Sequence, residues 1–270
     1  MQKVAQEIYD RIDNDLYNSD RESWWQPDSA LYLIQCSLNP ARVGYLKKRL
    51  FEVLNLNPHG RTALEVGCGG GLLCEEIARL GFETVGVDPS ERSLQVARSH
   101  AELSGFRISY LKGSGESLPC RDGAFDVVFC CDVLEHVRDL PQVISEVSRV
   151  LKPGGVFCYD TINRTLRSKL VAIKISQVWK RWAFLPPNLH VWEMFIRPGE
   201  MKLLLASNNL VWQEHRGLEP NVSLLAVLHY LRRRARGELC YRELGEKLHL
   251  VETGDTSMMY LGYAIKGIVL

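Results

Sequence analysis

Residues Leu64-Glu65-Val66-Gly67-Cys68-Gly69-Gly70-Gly71 set a short apolar strand directly ahead of a glycine turn. Seventeen residues past Gly71, the run Thr84-Val85-Gly86-Val87-Asp88 closes a second apolar segment on a carboxylate. Strand, glycine turn, helix and acid-ended strand make one unit of a parallel sheet, with a ligand site at the carboxyl edge of the strands. Glycine in the turn lets the backbone come close to that ligand and take positive φ without a Cβ clash. Leu72 stands where G-x-G-x-x-G needs its last glycine, so the packing that sits beneath a pyrophosphate is missing. The pattern points away from NAD and toward a nucleoside ligand without phosphates, its ribose hydroxyls donating to Asp88.

The alternation continues along the chain. Phe125 to Cys131 reads as a strand, and Asp132-Val133-Leu134-Glu135-His136-Val137 follows at its carboxyl end. The segment Glu146 to Gly155 reads as a helix stopped by Pro153-Gly154-Gly155, leading into the strand Val156-Phe157-Cys158-Tyr159. In this order the motifs resemble the class I S-adenosylmethionine-dependent methyltransferases. The resemblance implies an α/β, Rossmann-like fold: a seven-stranded, mostly parallel sheet with helices on both faces and an antiparallel last strand. It also implies a cofactor site in which Gly67, Gly69 and their turn hold the methionine end and Asp88 the ribose. Ser114, Gly115 and Glu116 lie beside the adenine in this reading, and Glu65, Cys68, Pro89, Cys131 and Asp132 complete the set.

The flanks narrow the resemblance. Trp24-Trp25, Asn39-Pro40-Ala41-Arg42-Val43-Gly44-Tyr45, Leu134-Glu135-His136-Val137, Thr161-Ile162-Asn163-Arg164 and Phe195-Ile196-Arg197-Pro198-Gly199-Glu200 look like the ubiquinone-biosynthesis O-methyltransferases. Those enzymes methylate phenolic hydroxyls of polyprenylated catechols. In that family the arginine matching Arg42 reaches the methionine carboxylate, a group its guanidinium suits. Three positions depart from the family pattern: Leu189-His190-Val191 replaces Thr-His-Asp, Ser114 replaces an acid near the adenine amine, and Cys131 replaces a methionine. The first of these leaves the acceptor open. The expected activity is methyl transfer to a phenolic or catechol hydroxyl of a hydrophobic small molecule, with a polyprenylated quinone precursor as one candidate. The alternatives are a natural-product O- or N-methyltransferase and a cofactor-binding partner subunit without catalysis. Gly67, Gly69, Asp88, Glu135 and His136 argue against the last.

Methyl transfer from a sulfonium needs an in-line nucleophile that is deprotonated or nearly so. A phenol with a pKa of about 10 needs a base at neutral pH. His136 is the candidate, with Glu135 beside it; alternatively the two residues cap the helix after the fourth strand. Asp132, Glu135 and His136 stand at i, i+3 and i+4, so on a helical turn they would share one side. Such a set could hold a hard divalent ion such as Mg²⁺, which some relatives use. His190, Trp192 and Phe195 are candidates for the acceptor pocket, with packing between lid and sheet as the other reading.

The remaining features organise the chain. Residues 1–58 form an N-terminal helical cap, with apolar Val4, Ile8, Ile12 and Leu16 at near-helical spacing, and Asn39 caps a helix with Pro40 in its first turn. Residues 59–270 form the catalytic domain, interrupted by insertions at about 162–196, a substrate lid, and 218–253, which is rich in arginine. From Thr161 to Trp192 there is no acidic residue, and Arg167, Lys174 and Arg181 recur every seven residues. On one helix they would form a cationic face opposite Leu170, Ile173, Val178 and Trp182, fit to lie on an anionic membrane over 164–184. A net charge of +1 gives no global attraction to nucleic acid, and none is expected as a partner. Eight scattered cysteines without C-x-x-C suggest reduced thiols in a reducing compartment. With no signal core and no membrane-length apolar run, the expected location is the cytoplasm, with peripheral membrane contact.

Overall fold

The computed structural model describes residues 5–14, 17 and 24–268. Val4 and Leu16 of the N-terminal pattern lie outside the described residues, whereas Ile8 and Ile12 pack against Val191 and Met194. Eight strands form one sheet: β1 (Thr62–Val66), β2 (Glu83–Asp88), β3 (Ile108–Lys112), β4 (Phe125–Cys130), β5 (Leu151–Ile162), β6 (Leu210–Pro220), β7 (Leu250–Thr253) and β8 (Met259–Lys266). Their order is β3-β2-β1-β4-β5-β8-β6-β7. Strands β3, β2, β1, β4 and β5 pair in parallel, and β8 runs antiparallel between β5 and β6. The expected seventh strand is thus present as β8. The extra strand, β7, comes from the second insertion and pairs antiparallel with the outer edge of β6.

Both faces of the central strands are covered, so β4 reads as one unbroken apolar run apart from Asp126. Leu64, Val128, Cys130 and Phe157 face α5 (Leu140–Val150) and α7 (Pro198–Ser207). Ala63, Val127, Phe129 and Cys158 face the opposite layer, α2 (Asn39–Lys47) and α3 (Leu72–Arg79). The helix after β2, α4 (Glu91–Leu103), is capped by Ser90, whose Oγ accepts from Ser93 N–H at 3.1 Å. All eight cysteines are free, and five are buried.

Three local expectations change. Asn39 is not a cap: the chain is already helical from residue 32, through wide turns at Ile34–Leu38, and stays so through Lys48–Val53. Asn39 is buried there and turns its amide toward Arg42. The Pro-Gly-Gly segment does not end a helix; α5 stops at Val150, and Leu151 already pairs with Phe125. The basic insertion is not one amphipathic helix. It opens as the single turn Leu166–Ser168, widens over Lys169–Val178 and leaves the helix at Trp179. Arg181 lies beyond the helix, and Arg167 is held by Glu219 at 2.7 Å and Asp255 at 2.5 Å, so the seven-residue repeat makes no common face.

Candidate active site

A cavity of about 620 Å³ lies at the carboxyl ends of β1, β2 and β4. Every expected cofactor residue lines it except Gly69: Arg42, Glu65, Gly67, Cys68, Asp88, Pro89, Ser114, Gly115, Glu116, Cys131 and Asp132. The glycine loop is held against β2 because the N–H groups of Gly67 and Cys68 donate to the Val87 carbonyl at 2.7 and 3.1 Å. Asp88 is fixed from both sides, its Oδ2 accepting from Gly69 N–H and its Oδ1 from Ser90 N–H, each at 2.8 Å. Burial raises its pKa and these two bonds pull it back. A carboxylate with one such bond to each oxygen keeps further lone pairs free to accept. Gly69 therefore serves the site through its backbone, and a side chain there would strike Trp24. Glu65 is buried, its Oε2 has no hydrogen-bond partner among the described residues, and burial pushes its pKa up to about 8.

Gly67 is the position where glycine is required. Its φ is +71°, and a Cβ would overlap Val133 Cγ2, itself on the cavity wall. A residue held in this region costs about 1–3 kcal/mol before any clash. Gly67→Ala should lower the thermal midpoint by about 5 °C and weaken cofactor binding; an unchanged midpoint with unchanged affinity would contradict the geometry.

The segment after β4 is a turn, not a helix, and begins with Asp132 in the left-handed region at φ +55°. The expected one-sided set Asp132, Glu135 and His136 is therefore not formed. Asp132 Oδ2 lies 2.5 Å from Arg42 Nη2. Glu135 is buried, accepts from Thr161 Oγ1 at 2.8 Å, and has its pKa pushed up to about 8 by burial and by Asp132. The ring of His136 lies 5.2 Å from that of His190. Among the described residues the group with metal-ligand potential is instead Glu135, His136 and His190, their ligating atoms within 4.8 Å of one another. Nor does this segment cap the next helix: that cap is Asp139, whose Oδ1 accepts from Gln142 N–H at 3.3 Å.

Among the described residues, neither the buried Nδ1 of His136 nor that of His190 has a hydrogen-bond partner. Burial holds the pKa of His136 well below its ordinary value and that of His190 near 4, so both rings are neutral at pH 7. Tyr17 stands edge-on to His136 at 6.0 Å and stacks on Trp24 at 5.8 Å. Of the three acceptor-side candidates only His190 lines the cavity. Trp192 donates its indole N–H to the Thr165 carbonyl at 2.8 Å, beneath Lys169, and Phe195 is fully buried. Both pack the lid. Sequence reasoning missed Tyr17 and Asp160. The latter is wholly buried on β5, with Arg42 and the Asp132 N–H donating to its carboxylate.

The methyltransferase-domain family model matches residues 64–159, the stretch from the glycine loop to β5. A ubiquinone biosynthesis O-methyltransferase from Sinorhizobium medicae is 34% identical over 224 residues, 81% of this chain and 89% of that protein. One from Brucella anthropi is 35% identical over 216 residues, 78% of this chain and 86% of that protein. The chain belongs to the ubiquinone biosynthesis O-methyltransferase family. Its fold is shared with a SAM-dependent methyltransferase from Aquifex aeolicus (TM-score 0.52, 16% identity, 84% of this chain and 97% of that one). A Pyrococcus horikoshii protein matches with TM-score 0.58 and 20% identity, covering 94% of this chain and 99% of that one. As a member of this O-methyltransferase family the chain is an S-adenosylmethionine-dependent enzyme. No helix among the described residues is long and apolar enough to cross a membrane.

Proposed function

We propose that this O-methyltransferase acts on a phenolic or catechol hydroxyl at the head of a hydrophobic molecule, a polyprenylated quinone precursor being the class that fits best. The observation that carries this is the mixed lining of the cavity. Asp88, Arg42 and His136 share it with Ile34, Leu38, Phe184, Leu185, Leu189 and Leu248, apolar residues drawn from the N-terminal segment and both insertions. An apolar wall contributes affinity in proportion to the tail it covers, about 0.8 kcal/mol per buried CH₂. The test is methylation of catechols bearing alkyl or prenyl tails of increasing length. kcat/KM should climb steeply with tail length and fall again for amines of equal size; a flat series would overturn the reading.

In this reading His136 is the general base. Its neutral imidazole accepts the hydroxyl proton as the oxygen attacks the methyl carbon and the carbon–sulfur bond breaks, leaving a methyl ether and the neutral thioether product. The imidazolium so formed stands beside Glu135, whose carboxylate lies within 4.8 Å of a His136 ring nitrogen.

The two orphaned Nδ1 atoms favour a second reading. Glu135, His136 and His190 would hold a divalent ion, and two imidazoles with one carboxylate suit zinc or manganese better than magnesium. When bound, such an ion acidifies a coordinated hydroxyl. Activity that survives exhaustive chelation and gains nothing from added Mg²⁺, Mn²⁺ or Zn²⁺ would exclude it.

A lipid-borne acceptor also gives the first insertion a role at the membrane. Val178, Trp179, Lys174, Lys180 and Arg181 are all exposed there. Each basic residue contributes about 1 kcal/mol at an anionic surface. Changing Lys174, Lys180 and Arg181 to Gln should abolish low-salt co-sedimentation with anionic vesicles; equal sedimentation of both proteins would leave the segment as a lid only.

A further inference from the structure

The guanidinium of Arg42 is 1% exposed and nearly fully committed. Its Nε donates to Asp160 Oδ2, its Nη2 donates to Asp160 Oδ1 at 3.1 Å and meets Asp132 Oδ2 at 2.5 Å, and its Nη1 donates to Asn39 Oδ1 at 3.2 Å. Of the five N–H donors of an arginine, three are used in these hydrogen bonds, and the contact with Asp132 is an ion pair in which Oδ2 accepts no hydrogen bond among the described residues. The fork that would receive a carboxylate side-on is spent on Asp160. One guanidinium between two carboxylates also leaves a net negative charge, which opposes the approach of a third.

The two aspartates are not equivalent. Asp160 is wholly buried, and its Oδ1 also accepts from Asp132 N–H at 2.9 Å, so it is built into the sheet. The Asp132 side chain is 26% exposed and lines the cavity, and among the described residues its Oδ2 has the ion pair with Arg42 but no hydrogen bond. It also holds the left-handed backbone that aspartate tolerates only moderately well. We propose that Asp132 competes with the cofactor's methionine carboxylate for Arg42 and gives way when the cofactor binds, with Asp160 as the positioning residue that holds the guanidinium through the exchange. The inference rests on the reading that Arg42 receives that carboxylate. It makes Asp132 a brake on cofactor and product affinity, set by this chain's own side chain.

The test is calorimetry on the full chain with two ligands. S-adenosylhomocysteine carries the carboxylate, and S-adenosyl-3-thiopropylamine lacks only that group. Asp132→Asn keeps the side-chain shape, and asparagine is at home at positive φ, so the variant should fold. Loss of a charge-assisted competitor should tighten S-adenosylhomocysteine about tenfold and leave the decarboxylated ligand within about twofold. Unchanged or weaker S-adenosylhomocysteine binding, or equal tightening of both ligands, would overturn the competition. Arg42→Lys separates this from failure of the underlying reading. If it weakens S-adenosylhomocysteine alone, Arg42 does receive the carboxylate and the Asp132 result stands by itself. If it leaves the ratio of the two affinities intact, the role of Arg42 fails and the inference with it.

Discussion

Asp88→Ala should weaken S-adenosylhomocysteine binding about a hundredfold or more. A hydrogen bond to a charged acceptor is worth about 1.5–3 kcal/mol, and each buried donor left unsatisfied costs about 1–3 kcal/mol. The variant loses the ribose contact and also strands the N–H groups of Gly69 and Ser90, which Asp88 fixes at 2.8 Å. The glycine loop and the start of α4 therefore lose their common anchor together. Asp88→Asn, which keeps one acceptor oxygen and the shape, should fall between wild type and alanine. Calorimetry giving the alanine variant wild-type affinity would remove Asp88 from the cofactor site.

The second large effect is on turnover. His136→Ala should lower kcat by about a hundredfold or more while S-adenosylhomocysteine affinity stays nearly unchanged, the range expected when a general base is removed. The ring is held neutral by burial and by its neighbour His190, with its pKa well below the usual histidine value. The base is therefore competent throughout the neutral range, and the acid limb of the kcat profile should fall below pH 6.5. A loss of activity matched by an equal loss of folded protein would instead make His136 a packing residue. An acid limb at or above pH 6.5 would assign the titration to another group.

The glycine loop and Asp88 were legible because their signals are local. The strand–glycine–helix pattern from Leu64 and the acid at Asp88 need no knowledge of distant chain, and the sheet brings them together as β1 and β2 pair in register, Val66 with Val87. The rest of the cavity was less legible because its partners are far apart in sequence. Asp160 meets Arg42 across 118 positions, and His190 meets His136 only when the lid folds over the sheet. The spacing of Asp132, Glu135 and His136 suggested a shared helical face. One backbone angle, φ +55° at Asp132, sends that side chain to Arg42 instead and lets His190 take its place in the group. The seven-residue basic repeat failed for a similar reason. Wide helical turns do not preserve a 3.6-residue face, and Arg167 has acidic partners on β6 and in the turn before β8.

The central claim is transfer of the cofactor methyl group to a hydroxyl of a hydrophobic acceptor, and the most direct measurement is the product itself. Purified protein is incubated with methyl-labelled S-adenosylmethionine and a long-tailed prenyl catechol, and the product is resolved by mass and by the atom that carries the label. A single methyl on a ring oxygen is expected, formed by the wild type, and by His136→Ala about a hundredfold more slowly or slower still. Label on nitrogen or carbon, or no transfer to any tailed catechol while an unrelated acceptor is methylated efficiently, would contradict it.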